Sequence, residues 1–112
     1  MAFSVLSLNV RGLNKTIKRR QVFRWLHQQK SDVVFLQETY SSAQNLKSWE
    51  AEWGGKMIGS HGANHSRGVM ILIKPKLDVN IEQIISDNNG RYILAEVLVE
   101  GEKFVLDRKS VV

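Results

Sequence analysis

Apolar residues in the first third of the chain fall into two short unbroken runs separated by an amphipathic stretch. Phe3 to Asn9 is a run of β-branched and small residues, too short for a helix and closed by Arg11-Gly12, which predicts a buried strand and a turn. From Thr16 to Gln29, with Asn14 as the predicted N-cap, Val22, Phe23, Trp25 and Leu26 share one arc of a helical wheel, and Arg20, Arg24 and His27 lie opposite. Such a helix packs on a sheet with its basic side outward. Asp32 to Glu38 contains the continuous run Val33-Val34-Phe35-Leu36, the pattern of a strand buried on both faces. Strand, helix and strand make a βαβ unit. Its right-handed crossover brings the C-terminal ends of both strands, carrying Asn9 and Glu38, to one edge.

A second helix is predicted from Ser42 to Trp53, where Leu46, Trp49, Glu50 and Trp53 recur at helical spacing and Gly54-Gly55 stops it. Beyond Gly55 the pattern changes to short β-rich runs: Lys56 to Ser60, Gly68 to Ile73, Leu77 to Ile85, Arg91 to Val99 and Lys103 to Leu106. Asp87-Asn88-Asn89-Gly90 and Glu100-Gly101-Glu102 are hairpin signals, and Pro75 marks a break or an edge. The second half therefore reads as an antiparallel meander, and the chain as α/β or α+β.

Composition adds bounds. With 112 residues, 43% hydrophobic and 24% charged, there is room for one domain of ordinary globular character. No apolar run approaches the roughly 20 residues that span a bilayer, and the start lacks a basic n-region and a small-residue cleavage site, so the expectation is an intracellular protein, nuclear and cytoplasmic, with no membrane partner. The absence of cysteine fits a reducing compartment and excludes thiolate zinc sites and disulfides. Net charge is +5, and its distribution is uneven: residues 1 to 31 hold Arg11, Lys15, Lys18, Arg19, Arg20, Arg24 and Lys30 and no acidic residue. Such a cluster suits a polyanion such as nucleic acid, or forms a solvated helix face.

The candidate chemistry rests on Glu38 and Asn9. A carboxylate at the end of a buried strand is a hard oxygen donor for Mg²⁺, which keeps several waters and leaves room for a substrate phosphate. An asparagine beside it offers an acceptor and a donor without charge. His61 and His65 have an HxxxH spacing but lie among Gly59, Gly62 and Gly68, which predicts surface loop histidines and no metal site. Trp25, Trp49 and Trp53 fit helical core positions. Arg67 and Arg91 can reach phosphate, and Arg91, following a tight turn, can instead pair across strands.

LNVRGLN followed by a basic helix, then DVVFLQET, SRGVMILI and DNNGRYILAEVLVEGEKFVL, resembles the endonuclease/exonuclease/phosphatase superfamily. Within it the chain is most similar to the apurinic-type endonuclease domain that opens the reverse-transcriptase polyprotein of LINE-type (non-LTR) retrotransposons. The resemblance covers residues 2 to 106. It implies the N-terminal half of a four-layer α/β sandwich and a Mg²⁺-dependent phosphodiesterase, Mn²⁺ being a possible substitute, that nicks DNA to prime reverse transcription. No small-molecule cofactor is implied. Element RNA would be engaged through another portion of the polyprotein. Glu38 maps onto the family's metal ligand and Asn9 onto its catalytic asparagine, and Arg11, Lys15, Arg19, Arg20 and Arg67 become candidate nucleic-acid contacts. Arg11 stands where repair-type relatives often carry an aspartate, which removes a metal-bridging role from that position.

The resemblance also implies a catalytic tyrosine in a VNIYAPN-like segment after Leu106, then an Asp-x-Asn pair and an Asp-His pair that supplies the base. Here Asp107-Arg108-Lys109-Ser110-Val111-Val112 follows instead. That hexapeptide can be encoded by the start of a common sequencing-library adapter, so residues 107–112 are expected to be a non-native tail on a domain fragment of residues 1–106, inactive by itself. Two alternatives remain within reach of the sequence: a non-catalytic nucleic-acid-binding remnant, and a repair-type nuclease or phosphatase of the same superfamily.

Overall fold

Two runs with no polar alternation, Val33–Gln37 and Val69–Ile73, decide the architecture, because a strand apolar on both sides has to be covered on both sides. The computed structural model describes residues 4–62, 67–87 and 89–109. Chain order is β1 (Val5–Asn9), α1 (Thr16–Gln28), β2 (Val33–Gln37), α2 (Leu46–Trp53), β3 (Lys56–Ser60), β4 (Val69–Ile73), β5 (Val79–Ser86), β6 (Tyr92–Val99) and β7 (Glu102–Lys109). The first sheet has the order β1-β2-β4-β3 and the second the order β5-β6-β7. β1 and β2 are parallel, in a register that sets Asn9 opposite Gln37, and β4 is antiparallel to both β2 and β3.

Alternate residues of β2 and β4 serve two cores. Val33, Phe35, Val69, Ile71 and Ile73, with Ile58 of β3, face the second sheet, which contributes Val79, Ile93, Ala95, Val97, Val99 and Leu106. Val34, Leu36, Met57, Met70 and Leu72 face the helices and meet Phe23, Leu26, Trp49 and Trp53. The molecule is thus layered as helices, sheet and sheet, where the resemblance implied the N-terminal half of a four-layer sandwich. Trp53 anchors the helical layer: its indole donates to the Ile73 carbonyl at 2.9 Å, and the His27 ring stacks on it at 4.1 Å between centroids. Among the described residues, no helix is long and apolar enough to cross a membrane.

Several expectations are corrected. β1 is the edge of its sheet and half exposed, with Val5 at 48%, where the sequence suggested a buried strand; Phe3 lies outside the described residues. Lys15, not Asn14, precedes the first turn of α1, because the Asn14 amide donates to the Tyr40 carbonyl and holds a loop instead. Helix α2 begins four residues later than Ser42, whose hydroxyl accepts from the Asn45 N–H in the preceding turn. β3 and β4 join the parallel pair in place of extending the meander, which is confined to β5, β6 and β7. Trp25 is 45% exposed on the outer side of α1, whereas Trp49 and Trp53 are core residues as expected. β7 also continues past Leu106, pairing Asp107, Arg108 and Lys109 with Leu94, Ile93 and Tyr92.

Ile71, fully buried between the sheets on a central strand, tests this account. Ile71→Ala is expected to lower unfolding stability by about 2–5 kcal/mol through lost transfer energy and a cavity. Val5→Ala, on the exposed edge, should change it by less than about 0.5 kcal/mol. Denaturant midpoints of the two variants check both values.

A candidate metal and phosphate site at the strand ends

The first sheet delivers its chemistry at the C-terminal ends of β1 and β2. Asn9 is the last residue of β1, and Glu38 follows β2 directly. The parallel register places them side by side, and the Asn9 Nδ2 amide donates to Glu38 Oε2. Asn9 Oδ1 in turn accepts from the Arg11 N–H at 3.1 Å, which fixes which end of the amide faces the carboxylate. The Tyr40 hydroxyl lies 3.4 Å from Glu38 Oε1 as a longer donor. Glu38 and Tyr40 both adopt left-handed backbone, at φ 53° and 55°, as does Arg11 at 50°. Such conformations are costly for residues with a Cβ and cluster at functional sites.

Neighbouring loops hold these conformations in place. Gly12 N–H donates to Glu38 O at 2.6 Å and Leu13 N–H to Thr39 O at 3.0 Å, tying the turn to the loop after β1. On the other side Thr39 N–H donates to Gly68 O at 3.2 Å and Tyr40 N–H to Arg67 O at 2.7 Å. Two glycines make the approach feasible: a Cβ on Gly12 would sit 2.6 Å from the Tyr40 ring, and one on Gly68 2.4 Å from Thr39 Oγ1. Beneath the turn, Thr39 and Ser41 are fully buried, with hydroxyls 2.8 Å apart, and Ser41 Oγ lies 2.7 Å from His61 Nδ1. His61 is therefore an internal partner of this turn, not the surface loop histidine expected from its glycine neighbours. His65 lies outside the described residues.

The basic residues divide. Arg11 and Lys15 are exposed and line a pocket of about 310 Å³ together with Gly12, Asn14, Lys18 and Tyr40, whose hydroxyl links it to the Glu38 carboxylate. Lys18 is already engaged, donating to the Val10 and Arg11 carbonyls at 2.7 and 3.2 Å. Arg19 is 6% exposed, paired with Glu52 through two 2.7 Å bonds, donating to Leu13 O and Asn14 O and lying over the Trp49 ring. Its guanidinium is committed to the fold. Hydrogen bonding from Arg19 holds the Glu52 carboxyl below its usual range. Arg20 projects from the opposite flank of α1, and Arg67 is exposed in the loop before β4. Arg91 N–H donates to Asp87 Oδ1 at 2.9 Å, closing the β5–β6 turn.

For a divalent cation the donor set is one carboxylate. Among the described residues no group of three or more His, Cys, Asp or Glu side chains gathers. Mg²⁺ is commonly held by one or two carboxylates with waters and substrate oxygens completing its shell, so Glu38 fits as a single anchoring ligand and not as part of a closed cage. Sequence reasoning found Asn9 and Glu38 but missed Tyr40, Thr39, Ser41 and His61. Tyr40 could have been read from its place two residues beyond Glu38. Nothing in the sequence pairs Ser41 with His61, because that contact depends on the β3 end lying under the turn.

Comparison with known proteins gives this geometry a context. Residues 6–110 match the Endonuclease/Exonuclease/phosphatase family. A Xenopus laevis protein described as a transposon TX1 uncharacterized 149 kDa protein is 30% identical over 106 residues, covering 95% of this chain. The chain spans only 8% of that protein. Among solved structures, the AP endonuclease LMAP from Leishmania major superposes with a TM-score of 0.68 at 17% identity, covering 96% of this chain and 39% of that one. The catalytic domain of Xenopus laevis APE2 gives 0.59 at 18% identity, with 92% and 42% covered. A Neisseria 3′ phosphatase, NExo, bound to a product DNA hairpin gives 0.57 at 23% identity, with 93% and 40% covered. These likenesses establish the fold: two sheets face to face with helices outside.

Burial of His61 lowers its pKa from the ordinary 6.5, which makes stability pH-dependent in a definite direction. The unfolded chain takes up the proton first as pH falls, so stability is expected to decline below about pH 6.5 and to level off below the folded value. His61→Asn keeps a polar partner for Ser41 without titrating there. Its urea midpoint should decline less than that of the parent chain between about pH 7 and pH 5.

Proposed function

Because the chain belongs to the endonuclease/exonuclease/phosphatase family, we propose that it is part of a Mg²⁺-dependent DNA endonuclease domain of a LINE-type retrotransposon protein. The observation that carries this reading is the Asn9–Glu38 contact at the ends of two parallel strands, next to the pocket lined by Arg11 and Lys15. An AP endonuclease and a 3′ phosphatase of the same fold, the latter bound to a product DNA hairpin, and a transposon relative support it.

In this reading Glu38 holds Mg²⁺ or Mn²⁺, and the ion when bound supplies Lewis-acid polarisation of a phosphate oxygen. Asn9 holds the carboxylate through Oε2 and leaves Oε1 directed toward the Tyr40 side. Arg11 and Lys15 draw the scissile strand into the adjacent pocket, where guanidinium and ammonium donors neutralise phosphate charge. Arg67, exposed beside the same turn, extends that contact. The reading extends to nicking of target DNA for reverse transcription, in the nucleus, and to engagement of element RNA elsewhere in such a protein; the transposon relative supports this extension. By itself the 112-residue chain is expected to leave DNA uncut, since among the described residues one carboxylate with no base positioned beside it does not complete in-line hydrolysis.

The test is a supercoiled-plasmid nicking assay with Mg²⁺, Mn²⁺ and EDTA. The chain alone should leave the plasmid intact, and Mg²⁺-dependent nicking removed by Glu38→Gln would overturn its inactivity. A version extended through the rest of the domain should nick, lose nicking in Glu38→Gln, and lose about 10–100-fold in Asn9→Ala. Nicking by the extended protein that survives Glu38→Gln would overturn the site assignment.

A further inference from the structure

Helix α1 contributes to two pockets with different linings, and of these two only the one lined by Arg11 and Lys15 includes Tyr40, the neighbour of Glu38. The second, a groove of about 410 Å³ between α1 and α2, is lined by Arg20, Phe23, Arg24, His27, Gln28 and Glu52. Phe23 is 3% exposed and forms its floor, while Arg20 and Arg24 stand exposed one helical turn apart on its wall.

The charge in this groove is not balanced from within. Glu52 is its one acidic residue, and both of its carboxylate oxygens already accept from the buried Arg19 at 2.7 Å. Arg20 adds only a longer-range attraction to that carboxylate. Among the described residues Arg24 has no ion pair at all. With Arg19 and Glu52 cancelling, two guanidiniums at i and i+4 remain, and like charges so placed repel along the helix. The His27 Nε2 is held at 2.8 Å by the Trp53 carbonyl, which leaves the other ring nitrogen free.

We propose that this groove is a second nucleic-acid backbone site, separate from the cutting edge, in which Arg20 and Arg24 grip phosphates of a strand passing over the helical back of the domain. The inference rests on the nucleic-acid partner of the preceding section but assigns different residues. The groove shares no lining residue with the pocket of Arg11 and Lys15, and Glu38 does not line it, so the two are separate surfaces. Cβ atoms one turn apart are about 5–6 Å from each other, close enough for two guanidiniums to take one phosphate jointly or two in succession. A grip of two guanidiniums on backbone phosphates is independent of sequence and governed by counterion release.

Fluorescence anisotropy of the 112-residue chain with labelled single-stranded and duplex oligonucleotides, across a salt series, tests this. The double variant Arg20→Gln/Arg24→Gln is expected to bind single strands about five- to tenfold more weakly and to flatten the log K against log salt slope by about 1.4, two contacts at 0.7 each. Arg24→Gln alone should flatten it by about half as much. Both side chains are exposed, so circular dichroism and the thermal midpoint should match the parent; if the double variant unfolds, the single variant decides. Unchanged affinity and slope in either folded variant overturns the groove. Loss of all binding in Arg11→Gln/Lys15→Gln with no effect of the groove variants leaves the edge site standing alone. An effect of the groove variants with none at the edge does the reverse, and a parent chain that binds neither oligonucleotide removes both.

Discussion

The burial of β2 is the constraint on which the rest depends. Val33 to Gln37 are buried on both faces of the sheet and hydrogen-bonded to β1 on one edge and β4 on the other. A strand held on four sides ends at a fixed point, and Glu38 is the next residue. Its left-handed backbone then turns the chain out of the sheet at once, so the carboxylate stays over the strand ends instead of following a flexible loop. The energy that holds this unfavourable conformation comes from the flanking backbone bonds to the loops after β1 and before β4 and from the buried hydroxyls of Thr39 and Ser41. A buried hydroxyl without a partner would be costly, which is why the Thr39–Ser41–His61 chain has to be complete for the turn to be stable.

A second coupling runs through Arg19. Its guanidinium joins α1 to Glu52 of α2 and to the carbonyls of Leu13 and Asn14, in the loop that also carries Gly12 and Arg11. The helical layer thereby fixes the wall of the pocket beside Glu38. Removing either partner of so enclosed a pair leaves an uncompensated charge, so its role is to hold position more than to add net stability. The same helix uses its arginines in opposite ways: Arg19 inside as a strut, Arg20 and Arg24 outside as free charge.

Much of this was legible in the sequence because it follows from local pattern. The unbroken apolar run of β2, the amphipathic arc of α1 and the glycine stop after Trp53 predicted their elements within a few residues, and the βαβ logic alone placed Asn9 beside Glu38. What failed depended on tertiary neighbours. β1 has the apolar composition of a central strand but lies at an edge, and composition does not reveal how many strands flank it. Trp25 lies near the core arc, yet Phe23 and Leu26 take the buried positions of the helix and Trp25, one step around the wheel from Leu26, faces water. Arg19 read as one basic residue among seven, since nothing local announced that Glu52 would reach it from α2. His61 was misread for the same reason: its glycine-rich surroundings describe a loop correctly but do not say that the loop folds beneath a buried serine.

The distribution of charge and of chemistry on this domain are therefore separate designs. Binding a polyanion requires only unpaired cations on an exposed surface, and the segment from Arg11 to Arg24 carries them, Arg11 and Lys15 before α1 and Arg20 and Arg24 on it. Under the proposed reading cutting requires a carboxylate held within fractions of an ångström, and a doubly buried strand, a strained turn and two glycines with no room for a side chain hold Glu38 in place. Surface cations can be gained or lost with little effect on folding, whereas a change beneath Glu38 disturbs the turn itself. The proposed affinity for nucleic acid is thus what substitution most easily alters, and the aim of Glu38 is what is most tightly tied to the fold.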